Sequence, residues 1–142
     1  MNEGITLITR RTIRATAARL FDAWTQPEQL RAWWGPRPVT CSGAEVDLRV
    51  GGRYRIANVL PDGTTFVIEG EFRVVEVPHK LVYTWRAGDG EASRVTVRFE
   101  PRGEETEVIV VHEQIRNEVV RASHEGGWIG CLDGLERHFT VG

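Results

Sequence analysis

Four histidines, two cysteines and two tyrosines are the side chains from which this 142-residue sequence could build nucleophilic, proton-transfer or metal chemistry beyond its carboxylates. His124, Cys131 and His138 fall on one stripe if residues 117–141 are helical, each seven positions from the next. Seven residues at ~1.5 Å rise is about 10.5 Å along the axis, too far for adjacent ligands of one zinc ion. No C-x-x-C or H-x-x-x-H spacing occurs, so no dedicated metal site is expected. Gly51-Gly52 sits at a strand turn rather than between strand and helix, so it is not a phosphate loop, and no cofactor is expected. Cys131 and His112 could face each other as nucleophile and base. The same residues fit a small buried thiol and a satisfied core imidazole better. Neither Glu104-Glu105 nor Glu113 has the spacing of an acid/base pair. More telling is a set of polar groups on otherwise apolar faces: Tyr54, Asn58, Tyr83, His112, His124 and Cys131. A buried polar group without a partner costs roughly 1–3 kcal/mol. An apolar surface with a few convergent polar groups has the character of a small-molecule site.

The elements that must position these residues are legible from their periodicity. Gly4–Ile13, rich in Thr, Ile and Arg, reads as a strand. Thr16 is placed to cap a helix Ala17–Trp24 with Leu20, Phe21 and Trp24 on one stripe. Pro27 suits the first position of a second short helix, Pro27–Ala32, ended by Trp33-Trp34-Gly35-Pro36. From Val39 onward turn signals recur at Gly51-Gly52, Pro61-Asp62-Gly63, Pro78-His79-Lys80, Gly88-Asp89-Gly90 and Pro101-Arg102-Gly103. The segments between them alternate with period two, which predicts an antiparallel meander of about six strands. Its inward face holds Tyr54, Ile56 and Asn58, then Phe66, Ile68, Gly70, Phe72 and Val74. Leu81, Tyr83 and Trp85, then Val95, Val97 and Phe99, then Val108, Val110 and His112 continue it. Asn117–Val141 predicts one long helix, about 36 Å at ~1.5 Å per residue. Val120, His124, Trp128, Cys131, Leu135 and Phe139 share its apolar side, with Leu132 at the margin. Gly126, Gly130 and Gly134 step along one flank, where each glycine costs ~1 kcal/mol relative to Ala. A one-sided sheet with a single long helix predicts a two-layer α+β domain spanning residues 1–142.

Composition narrows the function classes. Hydrophobic content is 41% and charged content 27%, ordinary for a globular protein. A net charge of −2 offers no general attraction for nucleic acid or an anionic membrane. No apolar run approaches ~18 residues and no signal-peptide pattern is present, so no membrane insertion and a cytoplasmic location are expected. Cys41 and Cys131 do not make a disulfide framework, in keeping with that compartment.

Several motifs in this order resemble the START-like (birch-pollen-allergen-like, SRPBCC) superfamily, within it the group related to the C-terminal domain of activators of the heat-shock protein 90 ATPase. They are Ala23-Trp24-Thr25-x-Pro27, Leu30-x-x-Trp33-Trp34-Gly35 and Asp47-Leu48-x-x-Gly51-Gly52-x-Tyr54. Asp62-Gly63, Glu69-Gly70-Glu71-Phe72, Leu81-Val82-Tyr83-Thr84-Trp85 and Gly127-Trp128-x-x-x-Leu132-x-x-Leu135 follow. The resemblance covers essentially the whole chain. It implies a helix-grip fold, a curved antiparallel sheet of about seven strands around the C-terminal helix, with a cavity between them for lipids, polyketides or other apolar ligands.

A cavity of that kind would draw on the inward faces. Trp33, Trp34, Tyr54, Ile56 and Phe66 are candidates from the first half of the chain. Ile68, Phe72, Tyr83, Trp85 and Val97 follow, and Val110, His112, Trp128 and Cys131 complete the set. The first expectation is a carrier or sensor of a small, mostly apolar molecule. A cyclase- or dehydratase-type enzyme with His112 or Tyr83 as general acid/base is the alternative. A chaperone ATPase co-regulator is a third, by analogy alone, since the activators pair this domain with a separate N-terminal one. Outward Ile109 and Val111 would offer a weak homodimer surface.

Overall fold

A computed structural model describes residues 4–35 and 37–140. The ends of two predicted segments, Pro36 and Val141, lie outside the described residues. The chain runs β1 (Ile5–Ile13), α1 (Ala17–Thr25), α2 (Pro27–Trp33), β2 (Thr40–Val46), β3 (Arg53–Val59) and β4 (Thr65–Glu76). It continues with β5 (Lys80–Ala87), β6 (Ser93–Arg102), β7 (Glu105–Ile115) and α3 (Glu118–Thr140). This is the expected α+β helix-grip architecture. The seven strands form one curved antiparallel sheet in the order β1-β7-β6-β5-β4-β3-β2. Strands two to seven are the meander, and β1 returns to pair with β7.

Local chemistry sets the boundaries. The Thr16 hydroxyl accepts from the Arg19 backbone N–H at 3.2 Å and caps α1. Gln26 closes α1 and opens α2, where Pro27 takes a first-turn position that needs no donor. The Asn117 side chain accepts from Val120 N–H at 2.9 Å, so Asn117 caps α3 rather than forming its first turn.

Two predicted faces shift. A bulge separates the pairs Phe72–Tyr83 and Val74–Val82 in β4. The extra residue inverts the alternation, so Val75, not Val74, packs against the core. On α3, Leu132 sits at the centre of the buried side with no exposed surface, not at the margin. The proposed self-association surface also changes. Ile109 is only 8% exposed, because its cross-strand neighbours Arg10 and Arg98 flank it. The aliphatic stems of such arginines cover apolar surface while their charges stay in water.

Helix α3 packs on β1 and β7, and α2 packs on β2. Arg11 of β1 reaches Asp133 at 2.7 Å and Glu136 at 2.8 Å, holding the C-terminal half of α3 to the sheet edge. The glycine flank divides. A Cβ on Gly134 would collide with the Trp33 carbonyl oxygen, whereas Gly126 and Gly127 have nothing within 4 Å of that position. Gly134→Ala is therefore expected to lower stability by about 1–3 kcal/mol through overpacking. Gly126→Ala should raise it by up to ~1 kcal/mol through helix propensity. Urea denaturation of the two variants beside the wild type reads both signs.

Candidate functional site

A cleft of about 290 Å³ opens between the N-terminal half of α3 and strands β3 to β5. The sheet contributes Asn58, Phe66, Ile68, Trp85 and Ala87, and Trp34 enters from the end of α2. Helix α3 supplies Ser123, His124, Gly127, Trp128 and Cys131. Behind it, Trp24, Leu30, Tyr54, Phe72 and Tyr83 surround a residual void of only about 20 Å³. The deep interior is a packed core, and the open volume lies to one side.

Tryptophan fills the rest. The Trp128 ring stacks on Trp24 at 6.0 Å and 15° and meets Trp34 edge-on at 5.8 Å. Trp85 lies 5.1 Å from Trp128 and 6.1 Å from Trp34. Four of the five indole N–H groups are satisfied. Trp33 donates to the Ala23 carbonyl at 2.8 Å and Trp24 to the Tyr83 hydroxyl at 3.2 Å. Trp34 donates to Asn58 Oδ1 at 3.1 Å, and Trp128 to His112 Nδ1 at 3.1 Å. Trp85 Nε1 is buried with no acceptor among the described residues.

His112 is fully buried, with its second nitrogen 2.7 Å from Ser93 Oγ. An indole N–H only donates, so Nδ1 must accept and Nε2 carries the proton. The Ser93 hydroxyl accepts that proton's bond and passes its own to the Trp85 carbonyl at 3.4 Å. Every polar atom of this chain has its role fixed by the next. Burial, with a smaller contribution from His124, pushes the His112 pKa down to about 3. His124 stacks on His112 at 4.5 Å and is also held below the ordinary imidazole value by burial.

Of the residues expected to line a cavity, the structure brings Trp34, Phe66, Ile68, Trp85, Trp128 and Cys131 to the cleft. Tyr54, Ile56, Phe72 and Tyr83 face the small void instead. Val97 and Val110 are sealed in the core, Trp33 is packed beneath Trp24, and His112 sits behind Trp128. The Cys131–His112 dyad is not formed, since both His112 nitrogens are committed elsewhere. Burial pushes the Cys131 thiol up to about 12, against a smaller lowering by a hydrogen bond from the Gly35 backbone. Tyr83 is likewise raised by burial, which keeps its hydroxyl neutral. The cleft also includes Asn58, Ala87, Ser123, His124 and Gly127, which are not among the residues expected to line it. The first and fourth carried a signal as polar groups on apolar faces, and Gly127 sat beside Trp128 without one.

The model of the family described as Activator of Hsp90 ATPase homolog 1-like protein matches residues 14–140. The chain belongs to this family. Similar solved structures include a protein of Chromobacterium violaceum, with 23% identity, a TM-score of 0.88 and coverage of 96% of this chain and 99% of that one. The AHSA1 protein of Silicibacter pomeroyi is 23% identical with a TM-score of 0.87, again over 96% and 99% of the two chains. The AHSA1-like protein of Aeromonas hydrophila is 27% identical with a TM-score of 0.78, over 94% and 91%. No curated protein matches the chain. Among the described residues, no helix is long and apolar enough to cross a membrane.

The buried imidazole of this family member has a consequence for stability. His112 titrates near 6.5 when unfolded and near 3 when folded, so the unfolded state binds more protons between those values. Stability is full above about pH 6.5 and falls as pH drops toward 3, by up to ~1.4 kcal/mol per unit. Urea titrations at pH 7, 6 and 5 should show that slope in the wild type. His112→Gln should flatten it, leaving the contribution of His124, which burial also lowers.

Proposed function

We propose that this protein binds a small, mostly apolar molecule in the cleft between α3 and the β3–β5 face, as a carrier or sensor. The observation that carries the reading is the cleft itself, about 290 Å³ of space beside an otherwise filled core. That volume is at the lower end of the ~300–1,000 Å³ range for small-molecule sites. Its walls are indole, phenyl and aliphatic, and its polar groups are few and gathered at Asn58, Ser123 and His124. The family's helix-grip fold supports the same reading.

The lining favours binding over turnover. Neither His112 nor Tyr83, the acid/base candidates, lines the cleft. His112 has both nitrogens occupied, and burial holds it neutral through the physiological range. Proton transfer by this ring would first require breaking its bond to Trp128 or to Ser93.

Gly127 lets the site be closed without disturbing the fold. It lines the cleft, and no atom lies within 4 Å of where its Cβ would stand. Gly127→Leu should project into the space while improving helix propensity by up to ~1 kcal/mol. Native mass spectrometry of gently purified protein, followed by thermal shifts with a panel of small apolar compounds, tests the proposal. A ligand at a hundredfold its Kd should stabilise the wild type by about 2.7 kcal/mol and leave Gly127→Leu unchanged. Equal shifts in both proteins would place binding elsewhere, and no shift with any compound would remove the reading.

A further inference from the structure

We propose that the cleft selects an uncharged, flat aryl compound carrying a carbonyl-type oxygen, and that Asn58 receives this oxygen through its free side-chain N–H. The proposal rests on the ligand-binding reading above and names the ligand's chemical class.

Charge is the first discriminator. Among the described residues lining the cleft, none is Asp, Glu, Lys or Arg. An ionised ligand would surrender its hydration without gaining a counter-charge, a cost that selects strongly against it. Shape is the second. Trp34, Trp85 and Trp128 meet at interplanar angles of 43°, 44° and 85°, and Phe66 adds a further ring to the lining. Such a corner presents both faces and edges of aromatic rings, which suit a planar π-system in offset or edge-on contact. A flexible alkyl chain gains no such geometry and loses rotamer freedom on entry.

Asn58 supplies the third discriminator, and it is the most specific. It lies on β3 and is only 1% exposed. Its amide orientation is unambiguous: Oδ1 accepts from Trp34 Nε1 at 3.1 Å and Nδ2 donates to the Ile56 carbonyl at 3.1 Å. A primary amide carries two N–H donors, so one remains after the Ile56 bond. An unpaired buried N–H is a rarer and costlier state than a carbonyl with one unused lone pair. The group that would best complete the site is therefore an acceptor. Two bonds already clamp the amide, so little ordering is left for the ligand to supply. The Trp85 N–H is also buried without an acceptor among the described residues, and the Asn58 variants below separate the two donors.

Four probes separate these features: naphthalene, 2-acetylnaphthalene, 2-naphthoate and 1-decanol. Affinities are read by calorimetry at pH 8 for the wild type, Asn58→Leu and Asn58→Asp. The neutral ketone should bind the wild type about tenfold more tightly than naphthalene, with naphthoate and decanol weaker than both. Asn58→Leu should erase the ketone's advantage while retaining naphthalene, which also reports that the cleft is intact. Should Asn58→Leu fail to fold after losing the Trp34 acceptor, Asn58→Asp preserves that acceptor and the side-chain size while removing the N–H. Loss of the ketone preference in Asn58→Asp then supports the assignment. Persistence of the preference in a folded variant, or tighter binding of naphthoate or decanol than of the ketone, would overturn it and leave the ligand-binding proposal standing. Binding of none of these probes, with no shift across the broader panel, would overturn both.

Discussion

The bond from the Trp128 indole to His112 is the contact on which the helix–sheet arrangement depends. It is the point at which α3 is fixed to β7, the strand beside the β1 edge, by direction as well as by area. Trp128 is 2% exposed and touches the rings of Trp24, Trp34 and Trp85. Apolar packing alone would tolerate a slide or a rotation of the helix. A donor-only indole facing a fully buried imidazole does not, because losing the bond strands two polar groups out of water. The His112–Ser93–Trp85 continuation then ties the same point to β5 and β6. A buried histidine is thereby structural, and its displaced titration reports how completely it is enclosed.

The cleft follows from where this anchor sits. Helix α3 lies on β1 and β7, and α2 lies on β2. Between them the inward faces of β3, β4 and β5 have only partial cover. Trp34, inserted from the end of α2, fills the inner part of that space and leaves the outer part open. The open part is consequently walled by the same tryptophans that make the core. Side chains that stabilise the fold and side chains that would meet a ligand are one set, which makes the cavity walls stiff.

Much of this was legible in the sequence, for identifiable reasons. Turn residues at regular spacing and period-two alternation marked β3 to β7, because a sheet with one buried face imposes that pattern. The Thr16 cap and Pro27 marked the short helices by their backbone chemistry. The β4 bulge left no composition signal, so Val74 was assigned to the wrong face. Leu132 was placed at the margin because a narrow helical stripe does not reveal how far the sheet wraps around it. The site was less legible. Strand parity identifies which side chains face inward, but not which of them meet another side chain and which meet empty space. Tyr54, Tyr83 and His112 therefore carried the same signal as Trp34 and Trp85, although only the last two reach the cleft.

Two glycines of α3 show why that distinction is physical rather than a matter of pattern. Gly134 is small because the backbone of α2 occupies the position a side chain would need. Gly127 stands one and a half to two turns earlier, and its missing side chain is matched by no neighbouring atom. Close packing rewards the first with contact area. The second costs helix propensity and gains nothing from packing, yet it borders the cleft between α3 and β3–β5. A fold optimised only for stability would place alanine or a larger residue there. Glycine at that point keeps open a volume whose lining is largely aromatic and carries no Asp, Glu, Lys or Arg, and the second side-chain N–H of Asn58 is the donor proposed to give that volume a direction.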